Sequence, residues 1–594
     1  MDFSDNGFPK YVPELRYQDI RDALEKCSGL VITIDDESAV KLAHFSVKEY
    51  LLSEKIKEGS WRHFAINEKL AHSLISRTCL VHLLEAGKAH FRGPLDWYAA
   101  EHWVFHAKSA ISASDNKPYL SRLIVDFFRS DNAVAHWCEL YDIDKEITWW
   151  MDRSQNTLMP MPMPIYLAAL VGFEVAVTQL VRDGVNVNAI GGWGAALVVA
   201  SAKGRTNIVK VLVDGGADVN AQGGYYGNAL QAASDRGHEA IVKLLVDGGA
   251  DVNAQGGYYG NALQAASGCG HEAIVKLLVD GGADVNTQGG CYVNALQAAS
   301  YCGHEAIVKL LVDGGADVNA KGGSYGNALH AASYGGHEAI VKLLVDGGAD
   351  VNAQGGHYVN ALQAASYCGH EAIVKALVDG GADVNAKGGF YGNALQAASC
   401  GGHEAIVKLL VVGGADVNAK GGYYGNPLQA ALALNDFNAS VINFLLDEGA
   451  EVNTQGGYYG NAMQTASYYG PESKAKLLLD KGADFTVQGG HFGNSLQAAS
   501  NGDELEIVKM LLERGVDVNT QGGFFGNALQ AAAARGSLRI AKILLDKGAD
   551  INARGGKYGS AIRAAIEKKK QDVVNLLREN GAQTFENEND KNIA

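Results

Sequence analysis

Basic charge is the first thing in short supply. Lys and Arg number 50 against 66 Asp and Glu, a formal net charge of −16. Phosphate backbones and anionic lipid repel such a chain, so nucleic acid and membrane surfaces are not expected partners. No apolar run is long enough for a membrane-spanning helix. The opening Met1-Asp-Phe-Ser-Asp-Asn6 has neither the basic nor the apolar region of a secretory signal. A cytoplasmic or nuclear location is therefore expected. The eight cysteines include no CxxC pair. Cys269, Cys302 and Cys368 share one repeat position, so they are expected on successive rungs and not around a metal. Prolines number only nine, and three of them fall in Met159-Pro-Met-Pro-Met-Pro164. Alternating proline blocks helix and sheet, so this segment reads as a short stiff boundary.

The motifs of catalysis are also missing. There is no GxxxxGK[ST] phosphate loop, since Gly87-Lys88 runs on into Ala89 without an upstream glycine. No strand-elbow serine, dinucleotide fingerprint or defended pair of carboxylates is evident. His44 beside Ser46 has no partner acid and falls between a strand and a helix start. No catalytic residue, cofactor or metal is expected.

What the chain has in abundance is repetition. Gly224-Tyr-Tyr-Gly-Asn-Ala-Leu-Gln-Ala-Ala-Ser-Asp-Arg-Gly-His-Glu-Ala-Ile-Val-Lys-Leu-Leu-Val-Asp-Gly-Gly-Ala-Asp-Val-Asn253 returns every 33 residues. A fixed period of this size means a stacked solenoid. Asn228 is placed to cap a short first helix that Gly237 ends. His238–Val246 reads as a second helix, with Ile241, Leu244 and Leu245 on its apolar face. Gly248 and Gly249 are expected to supply the left-handed turn after it, and an extended finger then leads to the next repeat. A two-residue insertion lies within Ala431-Leu-Ala-Leu-Asn-Asp-Phe-Asn438, and Pro471 replaces the usual His. The array is expected to bend or loosen there.

The run Gly-His-x-x-Ile-Val-x-x-Leu-Leu-x-x-Gly-Ala-Asp-Val-Asn resembles the ankyrin repeat. The resemblance spans about residues 165–585 and about thirteen repeats. It implies a mostly α solenoid that binds a protein ligand on its concave face. One departure stands out: the family opens its first helix with Thr-Pro-Leu-His, whereas this chain reads Asn228-Ala-Leu-Gln231, and only Pro427 restores the proline. This variant, with its Gly-Gly-aromatic-aromatic finger, resembles arrays in fungal proteins of the NACHT/NLR-like class.

Before residue 160 the composition differs, holding six of the seven tryptophans. Residues 17–26 read as a helix, 30–34 and 39–45 as strands around a turn, and Ser46-Val-Lys-Glu49 as a capping box. This order suggests a winged-helix-like segment over residues 1–58. Leu42-Ala-His-Phe-Ser-Val-Lys-Glu-Tyr-Leu-Leu52 resembles the part of the NLR-like proteins that follows their NTPase module. Residues 59–158 then read as a helical connector, 159–164 as the linker and 586–594 as an acidic tail. The resemblance implies the sensor part of a self/non-self receptor without its NTPase, with a signalling partner at residues 1–160. The alternative is a passive scaffold tethering a client to a separate enzyme complex.

The central repeats also point to a recognition surface. Their second helices are nearly invariant, while the fingers and first-helix ends vary. The first finger position reads Tyr225, Tyr258, Cys291, Ser324, His357 and Phe390. Two residues later glycine alternates with Val293 and Val359. The first-helix ends carry Asp235-Arg236, Tyr301, Tyr334 and Tyr367. Variation on one tyrosine-rich face is what a recognition surface needs; a tolerant face beside a recently duplicated helix is the duller reading. A nearly constant aromatic file, from Tyr226 through Tyr391 to Tyr558, is read as finger-to-finger packing ahead of ligand contact. The histidines His238, His271, His304, His337, His370 and His403 are read as structural.

Overall fold

The computed structural model describes residues 2–3, 9–10, 31–34, 39–42, 68–89, 94–111, 118–141, 163–434 and 439–583. They divide into two units, Met1–Ala262 and Leu263–Ala594.

In the first unit, Val31–Ile34 pairs antiparallel with Ala39–Leu42, Val31 facing Leu42 and Ile34 facing Ala39. This is the expected hairpin; the helices expected at 17–26 and from Ser46 lie outside the described residues. The helical region supplies Glu68–Ala89, Pro94–Ile111, Pro118–Arg129 and Asp131–Leu140. Their core is aromatic. Trp103 meets Phe127 at 5.0 Å and Trp137 at 5.2 Å, and stacks on Phe173 at 5.3 Å. Phe173 precedes Glu174–Arg182, the second helix of the first repeat. The helical region and the first repeat therefore share one core. On its rim the Arg129 guanidinium grips Asp183 through two hydrogen bonds of 2.7 and 2.9 Å. Pro164 ends the segment read as a linker, yet it is the first residue of the helix Pro164–Val171. Its fixed φ and missing N–H suit a first helical position.

Each repeat is a pair of helices, and the sequence accounts for their limits. Ala229–Asp235 is capped by Asn228, whose side chain accepts the Gln231 N–H at 2.9 Å. Its buried Ala229, Ala232 and Ala233 let the stack close tightly. The second helix, Glu239–Asp247, buries Ile241, Val242 and Leu245, while Leu244 is only half-buried. The expected apolar face is thus turned by one position. The expected double-glycine turn also needs correction. Gly249 has φ +88, but Gly248 stays at −81. Only the second glycine requires the left-handed region. Accordingly Glu448, Lys481, Arg514 and Lys547 stand at the first position elsewhere, and glycine always follows them.

In the second unit the recurring Asp-Val-Asn is a clamp between repeats. The Asp317 side chain accepts the Asn319 N–H at 2.9 Å, closing a local turn. The Asn319 amide then reaches forward: its oxygen accepts from Asp350 N–H at 2.8 Å and its nitrogen donates to Gly348 O at 3.1 Å. Asn286, Asn352, Asn385 and Asn418 do the same. At Thr486 the amide is missing, and the hydroxyl turns back to Asp484 at 2.6 Å.

The histidine row is a second link. His337 and His403 place Nε2 2.9 Å from the carbonyls of Tyr301 and Tyr367, each at the end of the preceding repeat's first helix. A carbonyl only accepts, so Nε2 carries the proton. Gln of Asn-Ala-Leu-Gln forms a third link. Gln396 Nε2 donates to Ala419 O in the next finger at 3.0 Å, and where His330 replaces Gln its Nε2 reaches Ala353 O at the same distance. Gln thus takes over a link that a histidine also makes in this chain.

A buried lysine stands beside the repeat that carries the insertion. The first helix there, Pro427–Leu432, is short. Lys474, where other repeats have Ile, is fully buried and donates from Nζ to Leu432 O at 3.2 Å and to Leu434 O. It caps the carbonyls that the shortened helix leaves open.

Candidate recognition face

Two aromatic files run along the fingers. In the inner file Tyr391, Tyr459, Phe492, Phe525 and Tyr558 are buried, and successive rings lie nearly parallel. Phe492 and Phe525, for example, are 6.1 Å apart at 8°. This file packs finger against finger.

The outer file is an aromatic ladder on the surface. Phe390, Tyr423, Tyr458, His491 and Phe524 stack in sequence at 4.8, 4.9, 4.4 and 4.6 Å. One backbone hydrogen bond joins each rung to the next, from Tyr423 N–H to Phe390 O at 2.7 Å and onward to Lys557 N–H. Fingers this close are nearer than packed helices, which lie about 8–10 Å apart. In the first unit Tyr225 stacks on Tyr258 at 5.3 Å in the same way.

The ladder is broken at Cys291, Ser324 and His357, all exposed. Beside this gap the first-helix ends carry Tyr301, Tyr334 and Tyr367, each half-buried. Tyr301 lies 4.5 Å from Tyr325, Tyr334 lies 5.3 Å from Tyr358, and Tyr367 lies 4.7 Å from Tyr391. Burial, and then the neighbouring phenols, push the Tyr325, Tyr358 and Tyr391 hydroxyls well above the usual tyrosine range. The three first-helix tyrosines are thus packing residues as well as surface ones. An alanine triple at 301, 334 and 367 removes rings from a continuous cluster and is expected to cost stability, contrary to a purely surface role.

Val293 and Val359 hold φ of +74 and +72, where a β-branched residue is strained by roughly 1–2 kcal/mol. Their methyl groups cover Gly322-Gly323 and Gly388-Gly389 of the following fingers. Val293→Gly and Val359→Gly relieve that strain and are expected to leave the urea midpoint unchanged or raised, with any loss of partner affinity reporting direct contact. Arg236, also in the expected set, bonds the Tyr226 hydroxyl at 2.7 and 3.0 Å and lies 3.1 Å from Asp235. Burial raises the Cys302, Cys368 and Cys400 thiols, and the Cys302 thiol faces Tyr292 at 3.9 Å. The structure leaves Cys291, Ser324 and His357 exposed, joins the Ser324 and His357 fingers by one backbone hydrogen bond of 2.8 Å, and packs the three tyrosines on the rings that follow in the next fingers. It places Tyr225, Tyr258 and Phe390 in stacks, and Arg236 with Asp235 in a local polar cluster. The ladder beyond Phe390 has a sequence signal in the same finger position, which recurs at Tyr423, Tyr458, His491 and Phe524.

The family described as ankyrin repeats (3 copies) matches residues 165–256, 230–322, 263–355, 296–388, 394–489 and 495–588, more than half of the chain. A curated relative, the azaphilone pigments biosynthesis cluster protein L of Monascus ruber, is 35% identical over 230 residues, covering 35% of this chain. The chain spans about half the length of that relative, 48%. A solved structure, the human ASB11 ankyrin repeat domain, matches at 25% identity with a TM-score of 0.33, over 36% of this chain and 96% of that one.

Proposed function

This chain belongs to the ankyrin repeat family, whose arrays generally bind protein partners, and from that premise we propose that it recognises a protein ligand through the finger side of its repeats. The contact centre is the break in the aromatic ladder at Cys291, Ser324 and His357, floored by Tyr301, Tyr334 and Tyr367. The observation carrying this reading is the break itself. Stacked rings occupy the outer finger position from Phe390 to Phe524, yet small and polar side chains stand at the gap. A ladder kept only for stability has no reason to be interrupted where tyrosines converge. Tyrosine presents large rigid contact area at small entropy cost.

The protein acts as a recognition element, not an enzyme. In the receptor reading, residues 1–160 pass the binding event to a signalling partner, as the resemblance to the NLR-like class suggests. The scaffold reading draws support from the relative in a pigment biosynthesis cluster, where an array could hold a client near an enzyme.

Filling the gap tests the surface without removing packing. In the triple variant Cys291→Phe, Ser324→Phe and His357→Phe, the ladder gains rings and the fold is expected to survive. Affinity purification from the native cell with mass spectrometry should lose the partner. An unchanged set of partners on a folded triple variant rejects this face.

A further inference from the structure

Charge is segregated on this acidic chain. From Thr287 to Leu434 no Asp or Glu occurs in any finger or first helix, and the acids lie in the second helices and in the turns that follow them. On the finger side of the same stretch stand Lys321, Lys387 and Lys420, all exposed, each just before the glycine pair of its finger. No ion pair holds these three among the described residues. By contrast, the second-helix Lys342 and Lys408 are paired with Glu338 and Glu404. The turn carboxylates nearest in sequence are engaged elsewhere: Asp317, Asp383 and Asp416 each accept the backbone N–H two residues on, at 2.9 Å.

We propose that the finger side of the second unit, from Cys291 to Tyr423, takes an acidic extended segment of a protein, its carboxylates meeting Lys321, Lys387 and Lys420 and its apolar side chains entering the ladder gap. This rests on the recognition face proposed above and names its ligand chemistry. Opposite charge on a strip whose fingers and first helices carry lysine and no acid selects an acidic partner and speeds its encounter. A short segment fits, because the acids of the second helices are screened beyond about 8–10 Å at physiological salt. Single-stranded nucleic acid fits less well. Its bases need open ring faces, and the faces of Phe390 and Tyr423 are already stacked on each other at 4.8 Å and 16°.

The test uses the full chain and a labelled oligoglutamate peptide, followed by fluorescence anisotropy across a salt series. Lys321→Gln, Lys387→Gln and Lys420→Gln together are expected to weaken binding by about tenfold and to flatten its salt dependence. Lys309→Gln, Lys342→Gln and Lys375→Gln remove the same charge from the second helices and are expected to change it little. No binding by the unaltered chain at low salt overturns the proposal, as does an equal loss in both triples. Tighter binding of a single-stranded oligonucleotide, lost in the finger triple, also overturns it in favour of nucleic acid. If the native partner is lost on filling the gap but kept by the finger-lysine triple, the recognition face stands and the acidic chemistry falls.

Discussion

Leu245→Ala lowers the stability of its repeat by about 2–5 kcal/mol, while Leu244→Ala costs less than half as much. The two leucines are adjacent in sequence and identical in chemistry. Leu245 is fully buried, whereas Leu244 is half-buried. Truncating Leu245 leaves a cavity that the close-packed alanines of the first helix cannot fill. Truncating Leu244 leaves a dent that water can enter. Urea unfolding followed by circular dichroism reads the difference as a shift in midpoint. A repeat array is a chain of nearest-neighbour interfaces, so the damage is expected to appear as an early local transition and not as a uniform shift. Equal losses at both positions would mean that the second helix is rotated from the orientation described.

Lys474→Ala has the second large effect, about 3 kcal/mol. The ammonium group is fully buried and donates to the carbonyls of Leu432 and Leu434. Its removal leaves buried acceptors without a donor, at about 1–3 kcal/mol each, and also deletes the lysine stem from a core position. Lys476→Ala is the control: that lysine is exposed and paired with Glu472 across one helical turn at 2.8 Å, a contact worth about 0.3–0.5 kcal/mol. Proteolysis of the full chain should report the lesion directly, with Lys474→Ala accelerating cleavage near residues 432–439 and Lys476→Ala leaving it unchanged. The array was expected to bend or loosen at the insertion, and the buried lysine ties the next repeat to the end of the shortened helix there.

Most of the architecture was legible because one short pattern recurs. The Asn cap, the closing glycines and the buried helix faces follow from local propensity and helical spacing. What the pattern could not reveal is what joins the repeats. The Asn of Ala-Asp-Val-Asn reads as a turn residue, but its amide works on the next repeat, some 30 residues away. His337 precedes a helix as a local cap would, yet it bonds the carbonyl of Tyr301, 36 residues earlier. Such links depend on the rise between repeats, which no single repeat encodes. The same limit governs the site. Sequence variation picked out Tyr301, Tyr334 and Tyr367, but only packing shows that their rings are held by Tyr325, Tyr358 and Tyr391. At the start of the chain, Trp103 and Phe173 stack across the boundary expected at 159–164, because an aromatic core can close over a proline-rich connection.

The central claim is that a protein partner sits on the finger side. Hydrogen–deuterium exchange on the full chain, with and without the partner captured from native cells, tests it most directly. The account predicts added protection in the fingers at 287–293, 320–326 and 353–359 and in the first-helix ends at Tyr301, Tyr334 and Tyr367, with the second helices unchanged. Protection confined to the second helices, or to residues 68–141, would contradict it.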